Sequence, residues 1–226
     1  MKIGVLLSGC GVYDGVEIQE AVLTLLAIEE IGAEAICISV DENQYHVVNH
    51  ITGDEMSESR NMMIEAARIS RGNIHEISTI SPADIDALVI PGGFGSAKNF
   101  TKWAFSGPEG EINSKVKLLI VNMVNVGKPI VALCVSPIVV AKALQNSSIH
   151  AKMTIGSNQE KSPYDINTFS QGMESIGVNS EMKTLREILI DTENKIITAP
   201  CYMMEASILE VRNNIKNAFE ALKELL

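Results

Sequence analysis

The sequence predicts an α/β fold with a mostly parallel sheet, and three observations carry that prediction. Short continuous apolar runs alternate with longer segments whose apolar residues recur at helical spacing, as expected where strands are covered by helices on both faces. The runs Ile3 to Leu7, Ala87 to Ile90 and Ile130 to Leu133 contain no alternation of polar and apolar residues, so both faces of each strand are buried. They end at Ser8-Gly9-Cys10-Gly11, Pro91-Gly92-Gly93 and Cys134, and ligands in such sheets bind beyond the carboxyl ends of the strands.

In chain order, the first strand and its glycine loop lead into a helix with Ile18, Val22, Leu25, Leu26 and Ile28 as its apolar positions, ending at Gly32. Ala35 to Val40 is a second buried strand, and Asp41 to Met56 is a polar excursion or hairpin carrying His46 and His50. Ser57 precedes a helix with Met62, Met63, Ala66, Ala67 and Ile69 on one face and Gly72 as its stop. Ile74 to Ile77 is a minor strand, Ala87 to Ile90 a clear one, and a helix spans Glu111 to Val126. After the strand that ends at Cys134 come a helix, a strand at Lys152 to Ile155 and a helix within Pro163 to Ile176. Ile188 to Asp191 and Lys195 to Thr198 form a hairpin whose turn lacks glycine. Ala206 to Leu226 is an amphipathic helix with Ile208, Val211, Ile215, Phe219 and Leu222 on one face.

Residues 1–226 are read as one domain, long enough to bury a sizeable core. The formal net charge of −10 argues against nucleic acid or an anionic membrane surface, which both require a basic patch. No stretch reaches the ~20 apolar residues of a membrane-spanning helix. Cys10, Cys37, Cys134 and Cys201 form no CxxC pair and have no metal-like spacing to the histidines, so no metal is expected and the thiols are free in a reducing compartment. Met1-Lys2 leads straight into the first strand, and the expected location is cytoplasmic.

Gly127-Lys128-Pro129 opens the run that ends at Cys134, and Val139, Val140, Ala143 and Leu144 follow at helical spacing. A strand, a sharp turn and a helix with the cysteine at the turn resemble a nucleophile elbow, and a helix N-terminus favours a thiolate. On these residues alone a buried packing cysteine is an equal alternative.

Ser8-Gly9-Cys10-Gly11-Val12-Tyr13-Asp14-Gly15, Glu20 to Leu26, Asn49-His50-Ile51-Thr52-Gly53, Val89 to Asn99 and Thr198-Ala199-Pro200 together resemble the ElbB family. Its members are called enhancing-lycopene-biosynthesis or isoprenoid-biosynthesis proteins with an amidotransferase-like domain, within the PfpI-type class I glutamine-amidotransferase-like superfamily. The resemblance implies a flavodoxin-like, doubly wound sandwich, an active Cys134, and Glu20 as its acidic partner with Glu17 as the alternative. It also implies an oxyanion pocket of backbone N–H groups at Gly92, Gly93 and Val135, no cofactor, a small aldehyde substrate and a homodimer. Cys10, His50 and Cys201 are possible neighbours of the site; the two thiols are either resolving cysteines or packing residues. Many members of the superfamily carry a histidine directly after the nucleophile, where this chain has Val135; others place one after the next strand, where it has Gly156. A Cys-His-acid triad and amidotransferase activity are therefore not expected.

Two readings of function follow from this resemblance. One is a slow, cofactor-independent glyoxalase-type lyase that converts small 2-oxoaldehydes to 2-hydroxy acids. The other is a non-catalytic redox-sensing, chaperone-like or regulatory protein in which Cys134 is oxidised. A third comes from spacing: Gly9, Gly11 and Gly15 after the first strand, with Asp41 after the second, loosely mimic a dinucleotide-binding fingerprint, although the family accounts for the same glycines.

Overall fold

The computed structural model describes Met1–Leu226. Its elements are β1 (Lys2–Leu6), α1 (Ile18–Glu30), β2 (Glu34–Ser39), α2 (Met62–Ala66), β3 (His75–Glu76), β4 (Ala87–Ile90), α3 (Trp103–Ser106) and α4 (Ser114–Asn125), followed by β5 (Ile130–Leu133), α5 (Pro137–Leu144), β6 (Lys152–Met153), α6 (Ile166–Ser175), β7 (Asn179–Ser180), β8 (Leu189–Asp191), β9 (Ile196–Ala199) and α7 (Ile208–Leu225). Seven strands form one sheet in the order β3-β2-β1-β4-β5-β9-β8, parallel except for the antiparallel pairing of β8 with β9. β6 and β7 pair separately as a two-stranded ribbon.

Every residue of β4, β5 and β9 is buried, as the unbroken apolar runs require of central strands covered on both sides. Helix α1 packs on α7, and α4 on α5. Adjacent parallel strands in the order β1-β4-β5-β9 bring four carboxyl ends together, and the chain beyond each of them is free to build a site. The β8–β9 hairpin forms without glycine because Lys195 itself adopts the left-handed conformation, at φ 53°.

Several elements depart from the sequence reading. The helix expected after Ser57 is only five residues long and is capped by Asn61, whose side chain accepts the Ile64 N–H. Ser96–Phe100 winds as a π-turn and α3 follows it, both unforeseen, because glycine-rich and mixed polar sequence gives no helical period there. The apolar stripe expected on α1 is split: Ile28 is buried and Leu25 packs half-buried against the core, but the other three positions face solvent. Ile18, Val22 and Leu26 are exposed, whereas the helix buries Glu20, Ala21, Thr24, Ala27 and Ile28. Small residues let α1 approach the sheet closely, and that orientation turns Glu20 inward. In α7, Ile208 is exposed while Val211, Ile215, Phe219 and Leu222 are buried as expected.

Candidate functional site

Cys134 lies between the last residue of β5 and the first turn of α5, at φ 56°. A non-glycine residue held in that region costs about 1–2 kcal/mol, so surrounding contacts must over-determine it. They do. The Cys134 N–H donates to Ala199 O at 2.9 Å, continuing the ladder to β9. Ser136 Oγ lies 2.7 Å from Pro91 O, to which it donates, and 2.8 Å from Ser96 Oγ, tying the elbow to the turn after β4.

Glu20 is fully buried and comes to the elbow from α1. Three backbone bonds lock the β1–α1 loop to the turn after β4: Glu17 N–H to Gly92 O at 3.0 Å, Phe94 N–H to Val12 O at 2.8 Å and Gly95 N–H to Gly15 O at 2.8 Å. The Glu20 carboxyl then accepts the Gly92 N–H on Oε2 at 2.9 Å and the Tyr202 N–H on Oε1 at 3.1 Å. Gly92 is the contact point. A Cβ there would fall on Cys134 Cβ, and would lie 2.6 Å from Glu20 Oε2 and 2.8 Å from Cys134 Sγ. Both reactive atoms therefore converge on one spot that only glycine leaves open.

Burial, and next the charge of Glu17, push the Glu20 carboxyl up to about 8, against the opposing pull of its two N–H donors and the neighbouring thiol. Burial, then Glu20, hold the Cys134 thiol well above its ordinary value. The expectation that the start of α5 would favour a thiolate is thus overturned. Desolvation in a site flanked by acids outweighs the dipole of an eight-residue helix.

The Gly93 N–H faces Cys134 Sγ, and neither Gly93 N–H nor Val135 N–H is spent on a backbone carbonyl. Buried N–H groups are normally paired, so two free donors beside a nucleophile suit an oxyanion. Above the thiol lies a cavity of about 30 Å³ lined by Val12, Glu17, Gly93, Phe94, Val135 and Tyr164, with Phe169, Tyr202 and Met203 completing its wall. That is room for about two water-sized groups. A polar groove of about 580 Å³ between the Glu160–Arg186 region and α7 is far larger, but it contains no nucleophile.

The remaining candidates divide. Glu17 is at the site: it lines the cavity and caps α1, its Oε2 accepting the Glu20 N–H at 2.6 Å. Cys201 is also adjacent. It is fully buried at φ 46°, its thiol faces the Cys134 backbone N–H, and Asn214 Oδ1 accepts its own N–H at 2.9 Å. Cys10 turns away toward Glu65 and Arg68. His50 is occupied elsewhere, with Nε2 accepting the Tyr13 N–H at 3.2 Å, Nδ1 3.0 Å from Val48 O, and its ring stacked on Tyr13. No histidine lines the Cys134 cavity, and no group of three or more His, Cys, Asp or Glu is arranged to hold a metal.

The aromatic wall was not foreseen. Phe94 and Tyr202 directly follow Gly93 and Cys201, so the strand-end rule contains a signal for them. Tyr164 and Phe169 come from the segment after β6, where only the tertiary fold brings them to the cavity.

A parallel α/β sheet with a cysteine at the β5–α5 elbow and a buried carboxyl from α1 beneath it is the arrangement expected of a class I glutamine-amidotransferase-like domain, and a relative carries that description. The chain is 35% identical to the human mitochondrial glutamine amidotransferase-like class 1 domain-containing protein 3, over 99% of its own length and 83% of that protein's. It is 34% identical to the rat mitochondrial ES1 protein homolog over 99% and 84%. Among solved structures it matches an isoprenoid biosynthesis protein with an amidotransferase-like domain from Ehrlichia chaffeensis, at TM-score 0.89 and 31% identity over the whole of both chains. Drosophila melanogaster DJ-1beta, at 15% identity and TM-score 0.56 over 99% and 94% of the two chains, shares the fold. No family model matches the chain. The protein belongs to the family of ES1 and isoprenoid-biosynthesis proteins with an amidotransferase-like domain. The relatives named as mitochondrial overturn the expected cytoplasmic location. Free thiols specify a reducing compartment without specifying which one.

Proposed function

We propose that this protein is a slow, cofactor-independent glyoxalase-type enzyme acting on small 2-oxoaldehydes through Cys134. The observation that carries the proposal is the convergence of the Cys134 thiol and the buried Glu20 carboxyl at Gly92, beside two unspent backbone N–H groups. The sulfur adds to the aldehyde carbon of methylglyoxal, and the resulting oxyanion sits on the Gly93 and Val135 N–H groups. Glu20 takes the proton from that carbon and returns one to the adjacent carbon, leaving a thioester. Water hydrolyses the thioester to lactate and the free thiol, so the whole reaction adds one water to the aldehyde.

An oxidation-sensing role is less favoured, because sensor cysteines are low-pKa and accessible, whereas this thiol is buried and held protonated. In the same reading the protein works as a homodimer.

Lactate formation from methylglyoxal, measured with purified protein, is the test. Replacing Cys134 with Ala abolishes it on this proposal, and unchanged activity in that variant sinks the idea.

A further inference from the structure

The residues around Cys134 carry one sign of charge. Glu17 and Glu20 are the only formally chargeable carboxylates at the cavity, and no lysine, arginine or histidine lines it. None of the principal electrostatic influences on Glu17, Glu20, Cys134, Tyr164, Cys201 or Tyr202 is a positive charge. Lys98 reaches the wall without lining the cavity: its Nζ donates to Tyr13 O at 2.8 Å and lies 5.5 Å from the Phe94 ring centroid. The rest of the wall supplies four aromatic rings, Phe94, Tyr164, Phe169 and Tyr202. A half-buried carboxylate among aromatic faces attracts cations and repels anions.

We propose that the pocket selects its electrophile by charge, admitting carbonyl compounds that are uncharged or carry an alkylammonium group and turning away those bearing carboxylate or phosphate, with Glu17 setting the preference. This rests on the reading of Cys134 as a reactive thiol. Nucleophilic cysteines generally rely on a neighbouring cation to stabilise the thiolate. No side chain in this site supplies one, and a cationic substrate brings its own. Glu17 is suited to the role because its Oε2 is fixed by the Glu20 N–H at the start of α1, which both orients the carboxylate toward the cavity and tolerates its charge.

The test uses three methanethiosulfonate reagents: aminoethyl (cationic), methyl (neutral) and sulfonatoethyl (anionic). In each case the Cys134 sulfur, its proton lost to buffer, attacks the reagent's thio sulfur. A mixed disulfide forms and methanesulfinate leaves. Modification of Cys134 is followed by peptide mass spectrometry, and each rate is divided by that of free cysteine with the same reagent. The aminoethyl rate should exceed the sulfonatoethyl rate by at least tenfold, with the neutral reagent between. In Glu17→Gln, which keeps an oxygen to cap α1, the ratio should fall at least fivefold, while Glu205→Gln leaves it unchanged. The ratio is insensitive to the fraction of Cys134 ionised, because that fraction enters every rate equally. A wild-type ratio equal to that of free cysteine, or a ratio unmoved by Glu17→Gln, overturns charge selection while leaving the reactive thiol standing. A Cys134 that none of the reagents modifies overturns both.

Discussion

Glu20 sets the behaviour of the site with pH. Its carboxyl is raised to about 8 in the folded protein, from an ordinary 4.5. Folding therefore binds a proton that the unfolded chain has released, and the protein's stability falls as pH rises from about 4.5 through about 8. Each tenfold change in proton affinity is worth about 1.4 kcal/mol, so the loss amounts to a few kcal/mol. Urea denaturation at pH 5 and pH 8 should show it, and Glu20→Gln should flatten the difference. That variant carries its own cost, because an amide nitrogen replaces one of the oxygens that accept the Gly92 and Tyr202 N–H groups. Leaving one of those donors unpaired costs about 1–3 kcal/mol at any pH. On the proposed mechanism, turnover requires one proton to leave the Cys134–Glu20 pair. Lactate formation should therefore rise with pH up to about 8 and then level off. A rate independent of pH between 6 and 8 would contradict it. Gly92→Ala tests the same contact sterically: the new methyl meets both Cys134 and the Glu20 carboxylate. Overpacking of that kind costs about 1–3 kcal/mol and should abolish lactate formation in whatever protein still folds.

The elements hold these residues through loop-to-loop hydrogen bonds more than through their own regular structure. Asn214 of α7 shows how. Its Oδ1 accepts the Cys201 N–H and its Nδ2 donates to Glu187 O at 2.8 Å, so one buried side chain pins both the turn after β9 and the segment before β8. Asn214→Ala leaves a buried donor and a carbonyl without partners, and thermal or chemical denaturation should register a loss of about 2–4 kcal/mol. The elements also mark where sequence reading works. β4 and the strand entering the turn at Cys134 were legible because an unbroken apolar run of four residues that stops at Pro91-Gly92 or at Cys134 fits a buried strand entering a turn. The facing of α1 was not. Its large apolar residues, Ile18, Val22 and Leu26, form the more hydrophobic stripe, yet close helix–sheet packing selected Ala21, Thr24 and Ala27 instead. Position alone makes Glu20 an ordinary carboxylate at the start of a helix, because the packed side it lies on is not the more hydrophobic one. The family resemblance supplied its partnership with Cys134, and the burial seen in the structure explains it. Cys10 and His50 stand in glycine-rich or polar loops whose direction no local rule gives, and both turn away from the thiol.

At the scale of the molecule, three of the sheet's four converging strand ends were legible as a site from unbroken apolar runs and strand-end chemistry, whereas the β9 end and the aromatic wall were not, since Tyr164 and Phe169 reach the cavity only through tertiary packing. The outward stripe of α1 raises a consequence for assembly. Ile18, Val22 and Leu26, spaced by four residues, expose 43%, 50% and 46% of their surface along one line of the helix that begins beside Glu17. A stripe of this kind is costly to leave in water, since each such side chain contributes about 1.5–3 kcal/mol on full burial. In the proposed homodimer this line meets its own copy about a two-fold axis, so every residue counts twice. Light scattering should then give twice 24.5 kDa for the wild-type chain. Val22→Glu places like charges opposite each other across the axis and should yield the monomer, with the fold retained because Val22 is half exposed and outside the core. A wild-type mass of one chain would remove the homodimer from the proposal, and an undiminished dimer mass in Val22→Glu would move the interface off α1.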